Sequence, residues 1–201
     1  EGRAGWAFGV RSDGQGKIAD WRAGAIGGSI PPRQSRCLRQ NRAKRQPQRT
    51  PPMTQSKRIA LSSDHAAIPL RQAIAAHIAA QGWTVVDIGP TTPESTHYPQ
   101  HGQAAARLVA SGDCALGIIL CGTGQGIMMA ANKVKGIRCG VCSDTFSARM
   151  IRAHNDANML SIGARVVGEG LALDIADAFL STAFEGGRHA LRVDMISAIE
   201  D

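Results

Sequence analysis

No apolar run in this chain of 201 residues approaches the ~18 residues of a membrane-spanning helix. Nor does an apolar stretch of ~7–15 residues precede a small-residue cleavage site, so neither a membrane span nor a secretory signal is expected. The five cysteines, at positions 37, 114, 121, 139 and 142, are odd in number. Their spacing fits neither a disulfide framework nor a zinc pattern. These absences lead to the expectation of a reducing, cytoplasmic setting and of a protein that needs no metal.

Residues 1–56 lack apolar periodicity of either the helix or the strand kind, and they are rich in Gly, Arg, Gln and Pro. They carry eleven Lys/Arg against three acids, a net +8, whereas residues 57–201 carry twelve against thirteen, a net −1. The chain's basic character therefore belongs to its first quarter. A cluster such as Arg42 to Arg49 supplies sequence-independent attraction to phosphate. Without a folded recognition motif, the segment reads as a poorly ordered, solvated or upstream-translated extension, and no nucleic-acid partner is expected. Met53 reads as a natural start, just ahead of the first patterned run, Lys57 to Leu61.

From residue 57 onward, short apolar runs alternate with amphipathic stretches of helical length. The runs are Arg58–Leu61, Trp83–Ile88, Ala115–Leu120, Ile137–Cys142 and Met159–Ile162. Helices are expected at about 68–81, 99–111, 126–133, 145–153, 168–182 and 189–200. Alternating βα units with continuous apolar strands predict an α/β domain over 57–201: a Rossmann-like three-layer αβα sandwich with a five-stranded parallel sheet. Ligands of such sheets bind beyond the carboxyl ends of the strands. The residues following the strands are Asp64 and His65, then Tyr98, the loop opened by Cys121, Asp144, and Arg165.

The loop Cys121-Gly122-Thr123-Gly124-Gln125-Gly126 joins an apolar run to a helix-like segment. Its glycines let the backbone turn sharply and aim several N–H groups at one point, which favours an anion, and a thiol beside a helix start can become a thiolate. Acid–base or covalent chemistry follows as an expectation. A Walker A loop is excluded because Ile127 and Met128 follow Gly126. A cysteine phosphatase would need an arginine close to the nucleophile, and none precedes Arg138. A dinucleotide fingerprint has Asp144 near the right offset, but its third glycine falls one position off and the loop lies in the third βα unit, not the first. The plain alternative is a tight turn with a packed cysteine.

Seven segments in order resemble the ribose-5-phosphate isomerase B family, which also includes galactose-6-phosphate isomerase subunits. They are Asp64-His65, Tyr98-Pro99, Cys121 to Gly124, Ala130 to Lys133, His154 to Asn158, Gly163-Ala164-Arg165 and Phe184 to His189. The resemblance spans about residues 57–200. It implies an aldose–ketose isomerase of pentose-phosphate metabolism that works through an enediolate and uses no cofactor. By resemblance His154 opens the sugar ring with help from Asp64, and Thr123 orients the thiol or a sugar hydroxyl. His65, Arg165, Arg188 and Arg192 hold the phosphate, and Tyr98, Gly122, Gly124, Gln125, Gly126 and Asn155 line the substrate. Two departures stand out: Gln100 follows Tyr98-Pro99 where aspartate is common, and Gln125 stands where relatives have an aliphatic residue or a glutamate. Because a glutamine cannot ionise, the base is expected to be Cys121.

The resemblance also implies a homodimer, or a tetramer, with shared sites. Asp64, His65, Cys121, Arg188 and Arg192 are expected from one chain, and His154 and Arg165 from its partner. Hexose 6-phosphates are the alternative substrates, and a silent sugar-phosphate sensor is the alternative class. Bland roles accompany the chemical ones: Asp64 as a helix cap, His77, His101 and His189 as surface residues, and Cys114, Cys139 and Cys142 as packing. Met128, Met129 and Met150 read as core or interface filler, and Asn132 as a helix end.

Overall fold

A computed structural model describes residues 57–200, so the expectation of a poorly ordered segment at 1–56 lies outside the described residues. The strands are β1 (Arg58–Ser63), β2 (Thr84–Asp87), β3 (Leu116–Cys121), β4 (Cys139–Val141) and β5 (Met159–Gly163). The helices are α1 (Ile68–Ala80), α2 (Tyr98–Ala110), α3 (Gln125–Ala131), α4 (Thr145–Asn155), α5 (Glu169–Ser181) and α6 (Arg188–Ser197). All neighbouring strands run parallel, in the order β2-β1-β3-β5-β4. The chain steps outward from β1 to β2, then crosses back to β3 and continues the other way. The switch point therefore lies between β1 and β3, where such sheets open a crevice.

Strand side chains alternate between two cores. Ile59, Leu61, Ile118, Leu120, Leu160 and Ile162 face α1, α4 and α5, where Ile74, Ile78, Ala148, Ile175 and Phe179 meet them. Ala60, Ile119, Cys121 and Met159 face α2 and α3 through Ala105, Ala106, Val109, Ile127 and Ala131. Helices thus cover both faces, and the Rossmann-like three-layer expectation holds. Each fully buried Ile or Leu stabilises this arrangement by roughly 1.5–3 kcal/mol, which is why the central strands read as unbroken apolar runs.

Boundaries are set by local chemistry. Asp144 caps α4 by accepting from the Ser147 N–H at 2.7 Å. α3 ends at Ala131, short of 133, and Asn132 is its C-terminal cap, with a side chain that bonds both sides of Cys139: its Oδ1 accepts from the Cys139 N–H (2.8 Å) and its Nδ2 donates to the Cys139 carbonyl (2.9 Å). A short 3-10 turn, His65–Ala67, precedes α1, and another, Ala198–Glu200, ends the described chain.

Candidate active site

Cys121 is the last residue of β3 and only 4% exposed, so the thiol projects from the sheet itself and not from a free loop. Its sulfur accepts the Gly124 N–H at 3.2 Å. That bond requires the chain to reverse within three residues. Gly124 does so at φ +77°, where a Cβ would sit 2.8 Å from a Val141 methyl and 3.0 Å from the Ile162 backbone. Gly126 is needed for a different reason: the Tyr98 ring lies on it, 2.6 Å from where a Cβ would be. Thr123 and Gln125 are exposed at the loop's tip, with Thr123 Oγ1 accepting weakly from the Gln125 N–H (3.4 Å).

Strand pairing brings more groups to the same edge. Parallel pairing sets Gly163 beside Cys121, so Arg165, whose N–H bonds the Gly122 carbonyl at 3.0 Å, lies with its side chain along Gly122. The Asp64 N–H bonds the Leu120 carbonyl at 3.2 Å, which places this buried carboxylate next to Cys121. Its Oδ1 accepts from the Ala66 N–H (3.0 Å), so the helix-capping role coexists with a position in the crevice. His65 Nδ1 accepts the Thr96 N–H at 3.1 Å, which leaves Nε2 as the ring's donor.

Beneath these residues lies Arg71, 2% exposed, which sequence reasoning missed. Its guanidinium donates to Ser63 Oγ (2.8 Å), the Asp87 carboxylate (3.1 Å) and the Pro90 carbonyl (2.7 Å), tying the ends of β1 and β2 together. A Cβ at Gly89 would overlap it. His101 corrects an expectation: it is half-buried, not on the helix surface, and its Nε2 is enclosed without a partner. Burial lowers its pKa first, against the attraction of the nearby Asp64.

The remaining site residues lie at the opposite edge of the sheet. α4 runs antiparallel to the strands for eleven residues, about 16 Å, and carries His154 and Asn155 down to where β5 begins. There the Gly117 N–H bonds the Asn158 carbonyl at 3.0 Å, four strand residues or roughly 13 Å below Cys121. The Glu185 N–H bonds the Ala153 carbonyl (3.0 Å), which sets the start of α6 against the end of α4. The His154 and His189 rings stack at 4.2 Å between centroids and 3° between planes. Arg188 Nε points to His189 Nε2 (3.4 Å), and Arg192 stands one turn further along α6.

This corrects the expected grouping of the shared site. Arg165 belongs with Asp64, His65 and Cys121, and Arg188 and Arg192 belong with His154. His189 is also corrected from a surface residue to one that is 5% exposed. Met129 is exposed, which removes the core half of its core-or-interface expectation, and His77 is half-buried, with its Nε2 2.8 Å from the Asp177 carboxylate.

The donor atoms of His154, Glu185 and His189 lie within 4.8 Å of one another. As arranged they make a poor chelate. Lone pairs lying in two parallel, stacked ring planes do not converge on one ion, and Arg188 and Arg192 add positive charge beside them. Among the described residues, no helix is long and apolar enough to cross a membrane.

Residues 59–196 match the profile of a family described as Ribose/Galactose Isomerase. The chain is 48% identical over 144 residues to the ribose-5-phosphate isomerase B of Escherichia coli, covering 72% of this chain and 97% of that one. It is 42% identical over 127 residues to a galactose-6-phosphate isomerase subunit of Clostridium acetobutylicum, covering 63% and 73%. The solved ribose-5-phosphate isomerase B of Clostridium thermocellum superposes with a TM-score of 0.70 at 50% identity, over 71% of this chain and 97% of that one.

Proposed function

The chain belongs to the ribose/galactose isomerase family, and from that membership we propose that it interconverts ribose 5-phosphate and ribulose 5-phosphate as a step of the pentose phosphate pathway. It does so in the cytoplasm, as a homodimer in which each site takes the Cys121 edge of one chain and the His154 edge of the other. The supporting observation is the division of one set of chemical groups between two opposite edges of a single sheet. Neither edge alone holds both a base for the carbonyl end and an acid beside the phosphate cations.

The division matches the sugar. In the closed ring of ribose 5-phosphate the ring oxygen sits on C4, next to the carbon that bears the phosphate. An acid for that oxygen therefore belongs near the phosphate-binding arginines, where His154 lies beside Arg188 and His189. His154 gives its proton to the ring oxygen as the bond to C1 breaks, and Asp64 takes the anomeric hydroxyl proton, leaving the aldehyde. Cys121, as thiolate, removes the C2 proton. The electron pair moves to O1, where amides of the Gly122–Gly126 loop stabilise the enediolate; one such donor is worth roughly 2.7–4 kcal/mol in known oxyanion sites. The proton held on sulfur then passes to C1 while the O2 hydroxyl proton passes to O1, which yields the ketose. His65 and Arg165 reach the phosphate from the Cys121 edge, and Arg188 and Arg192 from the other.

A coupled assay across five- and six-carbon aldose phosphates tests the reading. Turnover of ribose 5-phosphate above every six-carbon substrate is expected. A preference for a hexose 6-phosphate would favour the second reading, which rests on the galactose-6-phosphate isomerase relative. Binding without turnover of either class would mean a sensor.

A further inference from the structure

His154 does not act among neutral neighbours. Glu185 Oε2 lies 3.8 Å from His154 Nε2 and 3.7 Å from His189 Nε2, so one carboxylate faces the Nε2 edge of both stacked imidazoles. Its position is fixed by the backbone. The Glu185 N–H is bonded to Ala153, the residue before His154, and Gly186 and Gly187, both at positive φ, turn the chain directly into α6.

The other charged groups facing this pair are cations or are already engaged. Arg188 and Arg192 approach His189 from α6. Arg138 and Arg152, from the start of β4 and from α4, both bind the Asp156 carboxylate (3.0 and 3.1 Å). Two imidazolium rings stacked this closely would repel. His189 Nε2 faces the Arg188 Nε–H at 3.4 Å as an acceptor, and lost hydration first, then His154 and Arg188, lowers its pKa. Glu185, 3.8 Å from His154 Nε2, is placed as the counter-charge to a proton on that ring.

We propose that Glu185 is a positioning residue for the ring-opening step: it holds the His154 imidazole in place and keeps on it the proton delivered to the ring oxygen. The proposal rests on the reading of His154 as that acid. Glu185 touches no reacting atom; it acts through His154.

The experiment follows the His154 ring resonance by NMR titration of the full chain, as wild type, Glu185→Gln and Glu185→Asp. Glu185 is largely exposed, so these changes leave the fold intact, and spectral dispersion verifies it. A unit charge at about 4 Å in water is worth about 1 kcal/mol, so Glu185→Gln should lower the His154 midpoint by about half a unit to one unit, and Glu185→Asp should restore most of the shift. Above that midpoint kcat from ribose 5-phosphate falls about three- to tenfold with KM nearly constant, and the alkaline limb of the pH–rate profile moves down by the same interval. Ribulose 5-phosphate has its C5 oxygen blocked by phosphate and stays open-chain. Solvent deuterium exchange into its C1 should therefore continue at the wild-type rate in Glu185→Gln. An unmoved His154 midpoint in a folded Glu185→Gln protein overturns the proposal. Absence of isomerase activity in the wild type would instead overturn the functional reading, and the titration would still decide the role of Glu185.

Discussion

In the proposed mechanism Cys121 carries a proton from one carbon to the next while its side chain is almost wholly out of water. Replacing it by serine keeps the size but substitutes a far weaker acid. Cys121→Ser is expected to lower kcat by about 10²–10⁴-fold with KM within a few-fold, as measured in the coupled assay. Full activity in that variant removes Cys121 as base. The other thiols differ in kind. Burial pushes Cys142 up to about 11 and Cys139 higher still, so both are inert packing at neutral pH, as their sequence positions imply. His101 has a measurable signature of its own. Its folded pKa lies below the unfolded value of 6.5, so the unfolded chain binds the proton first as pH falls. Stability should be full above pH 6.5 and decline as pH drops from there toward the folded pKa; His101→Phe should flatten that decline in urea melts. An identical slope in the variant would assign the effect elsewhere. The role of His101 was not legible from the chain. The charges that act on it, Asp64 and Arg71, belong to elements distant in sequence, and periodicity says nothing of them.

At the scale of elements, the glycine loop and the strand that feeds it work as one piece, since β3 ends on the thiol and the loop returns an N–H to it. Gly124→Ala puts a Cβ where φ is +77° and where Val141 and the Ile162 backbone already sit. A non-glycine residue in that region costs roughly 1–2 kcal/mol before any clash. The variant should melt several degrees lower and lose at least tenfold in kcat; wild-type turnover with an unchanged melt would mean the loop's turn is dispensable. Most elements were legible because their signals are local: short apolar runs alternating with amphipathic stretches of helical length. Asn132 shows the limit. Its place at a helix end was legible, but its two side-chain bonds to Cys139, seven residues on, were not, because only the fold brings that strand alongside. Arg71 was missed for the same reason: its partners at Ser63, Asp87 and Pro90 come from two strand ends.

For the whole molecule, topology decides which groups can meet. The grouping expected from the resemblance set Arg165 apart from Cys121 and the last arginines with it; parallel pairing of β3 with β5 and the return of α6 onto α4 reverse both. The elements span Arg58 to Glu200, so a chain beginning at Met53 is expected to retain its melting temperature and turnover, and loss of either would make residues 1–52 part of the enzyme. The central claim is that two chains complete each site, and subunit complementation tests it most directly. Cys121→Ala and His154→Ala, each inactive alone, are co-refolded in equal amounts. Half the dimers are then mixed, and each mixed dimer holds one intact site and one doubly damaged one, so about a quarter of wild-type activity should return. Mixing His154→Ala with Arg188→Ala, or Cys121→Ala with Arg165→Ala, should restore nothing, because each pair damages the same edge. Mixed dimers of Cys121→Ala and His154→Ala that form and stay inactive would contradict the account.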